Sequence, residues 1–270
     1  MNPLNVLQTA SFSSKPTLFK SWDYQLFPRH CVLCDSHISA EKLTHLATSS
    51  ALFVVNIHEQ LCEPCRAELP YNTSACAFCA LPLPHYLSKH QTHCGRCAKE
   101  IWEVDQIFSP YRYADGMKYL ISAFKFGKRL AFTALLAELF LQQLTEASLP
   151  PVDYLLPIPA HPKRLHQRGF NQSHELAKYL AQSLNLPLLD HTLQKQESTV
   201  AQASLSAKQR QQNLQHVFHL QKTLPAHARL AIVDDVITTG STINAVAKHL
   251  RQGGATHLQA WSLARTDLRA

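Results

Sequence analysis

Beyond residue 100 the chain alternates short apolar runs with stretches of helical period, whereas regular periodicity is scarce before it. Residues 107–113 alternate in polarity and predict a strand. Residues 117–126 place Leu120, Ile121 and Phe124 on one side of a short helix, and 132–144 read as a strongly apolar helix. A buried strand is predicted over 153–157, ended by Pro157 and Pro159, which cannot extend a hydrogen-bonded ladder. Residues 172–184 carry Leu176, Ala177, Leu180 and Leu184 at the spacing of an amphipathic helix. The run Leu230-Ala231-Ile232-Val233 predicts a strand buried on both faces. A helix follows over about 242–251 until Gly253-Gly254 ends it, and a last strand covers 257–263. Strands alternating with helices imply an α/β fold with a mostly parallel sheet covered on both faces. Ligands of such sheets bind beyond the carboxyl ends of the strands.

At that end of the 230–233 strand stand Asp234 and Asp235, then Thr238, Thr239, Gly240, Ser241 and Thr242. A hydroxyl-rich turn feeding a helix N-terminus is an anion site, because free backbone N–H groups and the helix dipole converge there. The two carboxylates cannot hold that anion. They suit hydrogen bonds from vicinal hydroxyls, or proximity to a divalent metal. Phosphate on one side and a diol on the other describe a ribose 5-phosphate. The plainer reading is a strand-to-helix turn whose Asp, Ser and Thr residues are caps.

The segment after the 153–157 strand holds Lys163, Arg164, Arg168, Gly169 and Asn171. Guanidinium forks match phosphate oxygens, and a glycine permits close backbone approach, so this loop suits a pyrophosphate. Alternatively it is a solvated basic loop. Residues 197–213 are polar, with Ser206 placed to cap a short helix carrying Lys208, Arg210 and Asn213. They read as a mobile lid, or else as a surface loop and helix.

All eight cysteines fall in four Cys-x-x-Cys pairs: Cys31/Cys34, Cys62/Cys65, Cys76/Cys79 and Cys94/Cys97. Two such pairs complete a tetrahedral S₄ site, for which zinc is the matching metal. The expected sites are Cys31, Cys34, Cys62, Cys65 and Cys76, Cys79, Cys94, Cys97. Interleaved pairing stays open, as does replacement of a thiolate by His30 or His93. A disulfide framework requires an oxidising compartment. Residues 1–28 lack the pattern of a signal peptide, and a cytoplasmic location is expected. No apolar run is long enough for a membrane span. The net charge of +7 lies almost wholly beyond residue 100 and suits a polyanionic ligand, either a pyrophosphate compound or nucleic acid. These features divide the chain into an N-terminal extension (1–28), a metal-stapled module (29–100) and an α/β domain (101–270).

The string Val233-Asp234-Asp235-Val236-Ile237-Thr238-Thr239-Gly240-Ser241-Thr242 resembles the phosphoribosyl pyrophosphate (PRPP) motif of type I phosphoribosyltransferases. The four cysteine pairs, Phe124-Lys125-Phe126, Pro157-Ile158-Pro159, Lys163-Arg164, Arg168-Gly169-Phe170-Asn171-Gln172, Gln202, Arg210, Asn213 and Ala264-Arg265 extend the likeness. Together they resemble the ComF family of competence-related proteins, including its GntX-type members, from about residue 30 to the end. The resemblance implies a double zinc ribbon with two structural Zn²⁺ ions, joined to a type I phosphoribosyltransferase fold that binds PRPP with Mg²⁺. It implies that Asp234 and Asp235 hold the ribose, that residues 238–242 wrap the 5-phosphate, and that Arg164 and Arg168 neutralise the pyrophosphate. It also implies a role in DNA uptake or utilisation. Where purine-salvage relatives have a third acid, this chain has Thr238, which is closer to the orotate enzyme. The competing expectation is a non-catalytic adaptor that binds single-stranded DNA, its zinc module docking a helicase or uptake partner. Trp102 and Phe124-Lys125-Phe126 would then stack bases.

Overall fold

The computed structural model describes residues 29–38, 57, 60–84, 93–126, 131–195 and 217–267. The 197–213 segment expected as a lid, with Gln202, Arg210 and Asn213, lies outside them, as does the 1–28 extension. The chain forms two compact units, Met1–Glu68 with Ser148–Pro151, and Leu69–Ala147 with Val152–Ala270. The expected boundary near residue 100 assigned both cysteine clusters to one module. Within the second unit Cys76, Cys79 and Cys94 are buried with Leu156, Ile158, Leu230, Ile232 and Val246 in one apolar cluster.

In the first unit a two-residue ribbon, β1 (Arg29–His30) against antiparallel β2 (His37–Ile38), turns around Cys31 and Cys34. The Val32 amide donates to the Gln60 carbonyl, which ties this turn to the second pair. Cys62 caps the short helix α1 (Glu63–Ala67), whose first turn holds Pro64, where its missing N–H removes no helical bond.

The second unit is built on a five-stranded sheet in the order β3 (Gln106–Phe108), β9 (His257–Arg265), β8 (Arg229–Ile237), β5 (Tyr154–Pro157), with β4 (Tyr111–Arg112) also paired to β9. Every pairing in it is parallel. The strand expected over 107–113 is thus two strands, split at Ser109-Pro110, where proline has no N–H for the ladder. Helices α2 (Asp115–Phe126) and α3 (Ala131–Glu146) precede β5. Leu135, Leu136, Leu139 and Phe140 of α3 are buried, with the Phe140 ring 5.8 Å from Trp261 of β9.

Two helices follow β5 on the described part of the chain before β8: α4 (Pro162–Arg168) and α5 (Gln172–Leu184). The segment read as a basic loop is therefore largely helix, and Pro162 stands in its first turn, a position proline tolerates. The ends of α5 agree with the sequence, because Asn171 caps its start and Asn185, at φ 52°, ends it. A small antiparallel ribbon, β6 (Leu193–Lys195) with β7 (Phe218–Leu220), has no counterpart in the sequence pattern. Helix α6 (Ser241–Gln252) joins β8 to β9. No described helix is long and apolar enough to cross a membrane.

Candidate functional site

The register of the sheet brings the two sequence-predicted halves of the site together. Pro157 of β5 pairs with Val233 of β8, and the Ile158 amide donates to the Val233 carbonyl at 3.0 Å. The basic segment after β5 thus starts level with Asp234. Asn171 fixes its far end: Nδ2 donates to the Ile158 carbonyl at 2.9 Å, while Oδ1 accepts from the Ser173 amide. Both of its polar side-chain atoms are so engaged, which makes it a positioning residue. Gly169, at φ +82°, ends α4, and its amide donates to the Leu165 carbonyl rather than facing a ligand. Lys163 and Arg164 are exposed on α4, whereas Arg168 Nη1 donates to Gln172 Oε1 at 3.0 Å.

Strand β8 does not end at Val233. It runs through both acids to Ile237, with Asp234 opposite Ser262 and Val236 opposite Ala264. Successive residues of a strand point to opposite faces, and the acids have partners on different helices. Asp234 Oδ1 accepts from Ser173 Oγ of α5 at 2.9 Å and from the Asp235 amide. Asp235 Oδ1 meets Lys125 Nζ of α2 at 3.0 Å. Among the described residues the second oxygen of each carboxylate takes no hydrogen bond. Burial and the charge of Asp235 push Asp234 up to about 7, against the pull of Ser173, the Asp235 amide and Lys125. Lys195, at the end of β6, is held below its usual value by burial and by Arg164, with Asp234 acting in the opposite direction. Sequence reasoning named Lys125 only as part of a motif and missed Ser173 and Lys195 altogether.

After Ile237 the chain turns through exposed Thr238 and Thr239 to Gly240, at φ +79°, which leads into α6. Arg265 donates to the carbonyls of Ile237 and Thr238, Arg96 to that of Thr239, and the Asn244 amide to that of Gly240. With these carbonyls engaged, the hydroxyls and the first-turn amides of α6 beyond Ser241, whose N–H donates to Thr239 Oγ1 at 3.3 Å, supply the remaining polar groups. Thr239 Oγ1 lies 2.9 Å from Ser241 Oγ, so the two hydroxyls form one cluster. The turn follows two carboxylates, each with one oxygen that takes no hydrogen bond among the described residues.

Each cysteine cluster joins sequential pairs, Cys31, Cys34, Cys62, Cys65 and Cys76, Cys79, Cys94, Cys97, with their sulfurs within 4.8 Å of one another. A tetrahedron with metal–sulfur bonds of about 2.3 Å sets sulfurs about 3.8 Å apart. The separations of Cys34–Cys62 (3.6 Å), Cys79–Cys94 (3.6 Å) and Cys76–Cys97 (3.8 Å) meet that size. His30 Nδ1 lies 2.8 Å from the Asp35 carbonyl, and neither His30 nor His93 belongs to a cluster. A hydrogen bond from Cys79 and amide donors hold Cys76 down at about 4, while burial pushes Cys97 up to about 12. Ionising all four sulfurs in so small a space calls for a cation.

The base-stacking expectation loses Phe124, which is wholly buried with its ring 5.5 Å from Phe170. Trp102 lies over Gly240, its ring also 6.1 Å from Phe78. The side chain of Phe126 is outside the described residues.

A model of the phosphoribosyl transferase domain matches residues 170–266. Competence protein F of Haemophilus influenzae is 34% identical over 214 residues, 76% of this chain and 90% of that protein. DNA utilization protein YhgH of Escherichia coli strain K12 is 32% identical over 77% of this chain and 92% of its own. Competence protein ComFC of Bacillus subtilis is 29% identical over 87% and 95%. Among solved structures, adenine phosphoribosyltransferase from Trypanosoma brucei matches 59% of this chain and 83% of its own at 11% identity, with a TM-score of 0.37. With a parallel sheet, a phosphoribosyl transferase domain and this identity over most of its length, the chain belongs to the ComF family.

Proposed function

We propose that the domain binds PRPP with Mg²⁺, and that the protein serves DNA uptake or utilisation, in line with relatives named as competence and DNA utilization proteins. The observation that supports this best is the cradle at residues 238–241, its carbonyls held by Arg265 and Arg96, after two carboxylates that each have one oxygen without a hydrogen bond among the described residues. Thr238, Thr239, Gly240, Ser241 and Thr242 would receive the 5-phosphate, and Asp234 and Asp235 the ribose hydroxyls. Lys163, Arg164 and Arg168 would face the pyrophosphate, with Gly169 and Asn171 shaping their segment. The donor set also fits Mg²⁺, which binds through one or two carboxylates together with substrate phosphates. When bound, that ion supplies charge neutralisation on the pyrophosphate. The residues do the rest: Arg164 and Arg168 stabilise the leaving group, and the acids stabilise positive charge developing at the ribose C1. Zn²⁺ in the two cysteine clusters is structural in this reading.

Calorimetric titration with PRPP and Mg²⁺ tests the binding, and pyrophosphate release across a panel of bases, nucleotides and amines tests the transferase activity. Asp234→Asn with Asp235→Asn should weaken PRPP binding in a protein that remains folded. Equal affinity in that double variant would remove the assignment. A second reading, contact with single-stranded DNA, is favoured by the exposure of Lys163 and Arg164 on one short helix. Its mark is an affinity that falls with salt and with Arg164→Ala. A flat salt response would exclude it.

A further inference from the structure

Arg265 is a fully buried arginine with no carboxylate partner among the described residues, at the last position of β9. Its Nε donates to the Cys79 carbonyl at 3.1 Å, and its Nη1 to the carbonyls of Ile237 and Thr238. Nη2 is buried without a hydrogen-bond partner among the described residues. One guanidinium thereby ties the knuckle of the second cysteine cluster to the start of the anion cradle. A second does the same one residue further on. Arg96, between Cys94 and Cys97, donates to the Thr239 carbonyl, stacks 5.2 Å from the centre of the Trp102 ring, and pairs with Glu100 at 2.6 Å. The Trp102 ring in turn covers the face of Gly240, where it leaves no room for a side chain.

Charge explains why arginines occupy these places. A divalent cation with four thiolates carries a net charge of −2, and the Arg265 guanidinium stands against that cluster at the Cys79 carbonyl, while Arg96 rises from between two of its cysteines. An unpaired buried charge is costly, so the anionic cluster is what makes a buried cation tolerable behind a loop that must itself receive an anion. Both cations then add to the field at the cradle from behind while their N–H groups fix its carbonyls.

We propose that the Cys76, Cys79, Cys94, Cys97 cluster is the back wall of the cradle. Through Arg96 and Arg265 its metal sets the direction of the Ile237, Thr238 and Thr239 carbonyls, and so the cradle's affinity for phosphate. The first cluster, Cys31, Cys34, Cys62, Cys65, lies in the other compact unit and has no part in this brace. The affinity half of the proposal rests on the reading of residues 238–242 as a phosphate site, whereas the brace itself does not.

The test uses the full chain, zinc-loaded or stripped by chelation, with hydrogen exchange of the backbone amides and titration with ribose 5-phosphate. Removal of metal should speed exchange at residues 237–242 at least tenfold while α5, Gln172–Leu184, keeps its protection. Arg96→Ala should retain its zinc content, show the same local loosening, and lose about tenfold in ribose 5-phosphate affinity, as expected for one charge-assisted hydrogen bond. Because Arg96 is partly exposed, this variant avoids the folding risk of replacing Arg265. Unchanged exchange at 237–242 after metal loss overturns the brace, as does loosening spread equally into α5. Unchanged affinity in Arg96→Ala overturns the affinity half. If the zinc-loaded wild type binds no ribose 5-phosphate, the phosphate reading and the affinity half fall together, and exchange alone decides the brace.

Discussion

Gly240→Ala offers a sharp test of the packing behind the cradle. The residue has φ +79°, and a Cβ there would lie 2.5 and 2.6 Å from Cη2 and Cζ3 of Trp102, against 3.4–4 Å for ordinary contact. A left-handed backbone costs a residue with a Cβ about 1–2 kcal/mol. Forcing a methyl group into a filled space adds about 1–3 kcal/mol, because the ring must retreat by roughly 1 Å against Phe78 and Arg96. The expected loss is about 2–5 kcal/mol in all. Gly169→Ala is the control. At φ +82° it has the same backbone cost, yet nothing stands within 4 Å of its added Cβ, so its loss should stay near 1–2 kcal/mol. Urea unfolding of both variants, at one fixed zinc concentration, gives the comparison. Adding Trp102→Ala to Gly240→Ala should return the steric part, as a coupling of about 1–3 kcal/mol. Equal destabilisation by the two glycine substitutions, or no coupling to Trp102, would refute the reasoning.

Four further outcomes are expected. Because Asp234 is raised to about 7 by burial and by Asp235, PRPP affinity should increase with pH and level off above about 7, a trend that Asp234→Asn removes; a slope unaltered by that substitution counts against it. The linked stability has the opposite sign. Between the usual carboxylate range and about 7 the folded state binds more protons than the unfolded one, so unfolding free energy should decline as pH rises through that window, less so in Asp234→Asn. Lys125→Met leaves the Asp235 carboxylate buried without its cation and should cost about 3 kcal/mol in urea unfolding, most of it recovered by adding Asp235→Asn. Asn171→Ala removes a helix cap and the tie to the Ile158 carbonyl; a loss of about 1–2 kcal/mol is expected, and no change in unfolding midpoint would contradict the role assigned to it.

Local features that act within one element were legible in the chain. The ends of α5 follow from Asn171 and Asn185, which bond to the backbone of their own helix, and the two cysteine clusters follow from pair spacing. The strand–turn–helix around Asp234 and Gly240 could be read because apolar run, hydroxyls and glycine are contiguous. Errors arose where local cues have two outcomes. The segment after Pro157 and Pro159 read as a basic loop, yet Pro162 begins a helix there, where a proline lacks nothing the helix needs. The strand was expected to stop at the acids, but Val236 and Ile237 continue its pairing with β9, so Asp234 and Asp235 engage different helices.

By itself the sequence determined which groups meet within a few residues: the cysteine pairs, the hydroxyl turn, the adjacent acids and the alternation that builds a parallel sheet. Only the tertiary structure decided which distant groups stand against them, Lys125 on Asp235, Ser173 on Asp234, Arg96 and Arg265 behind the cradle. Periodicity specifies the direction of a side chain relative to its own element. The partner it finds depends on strand order and register, set by how all the elements bury their apolar faces together.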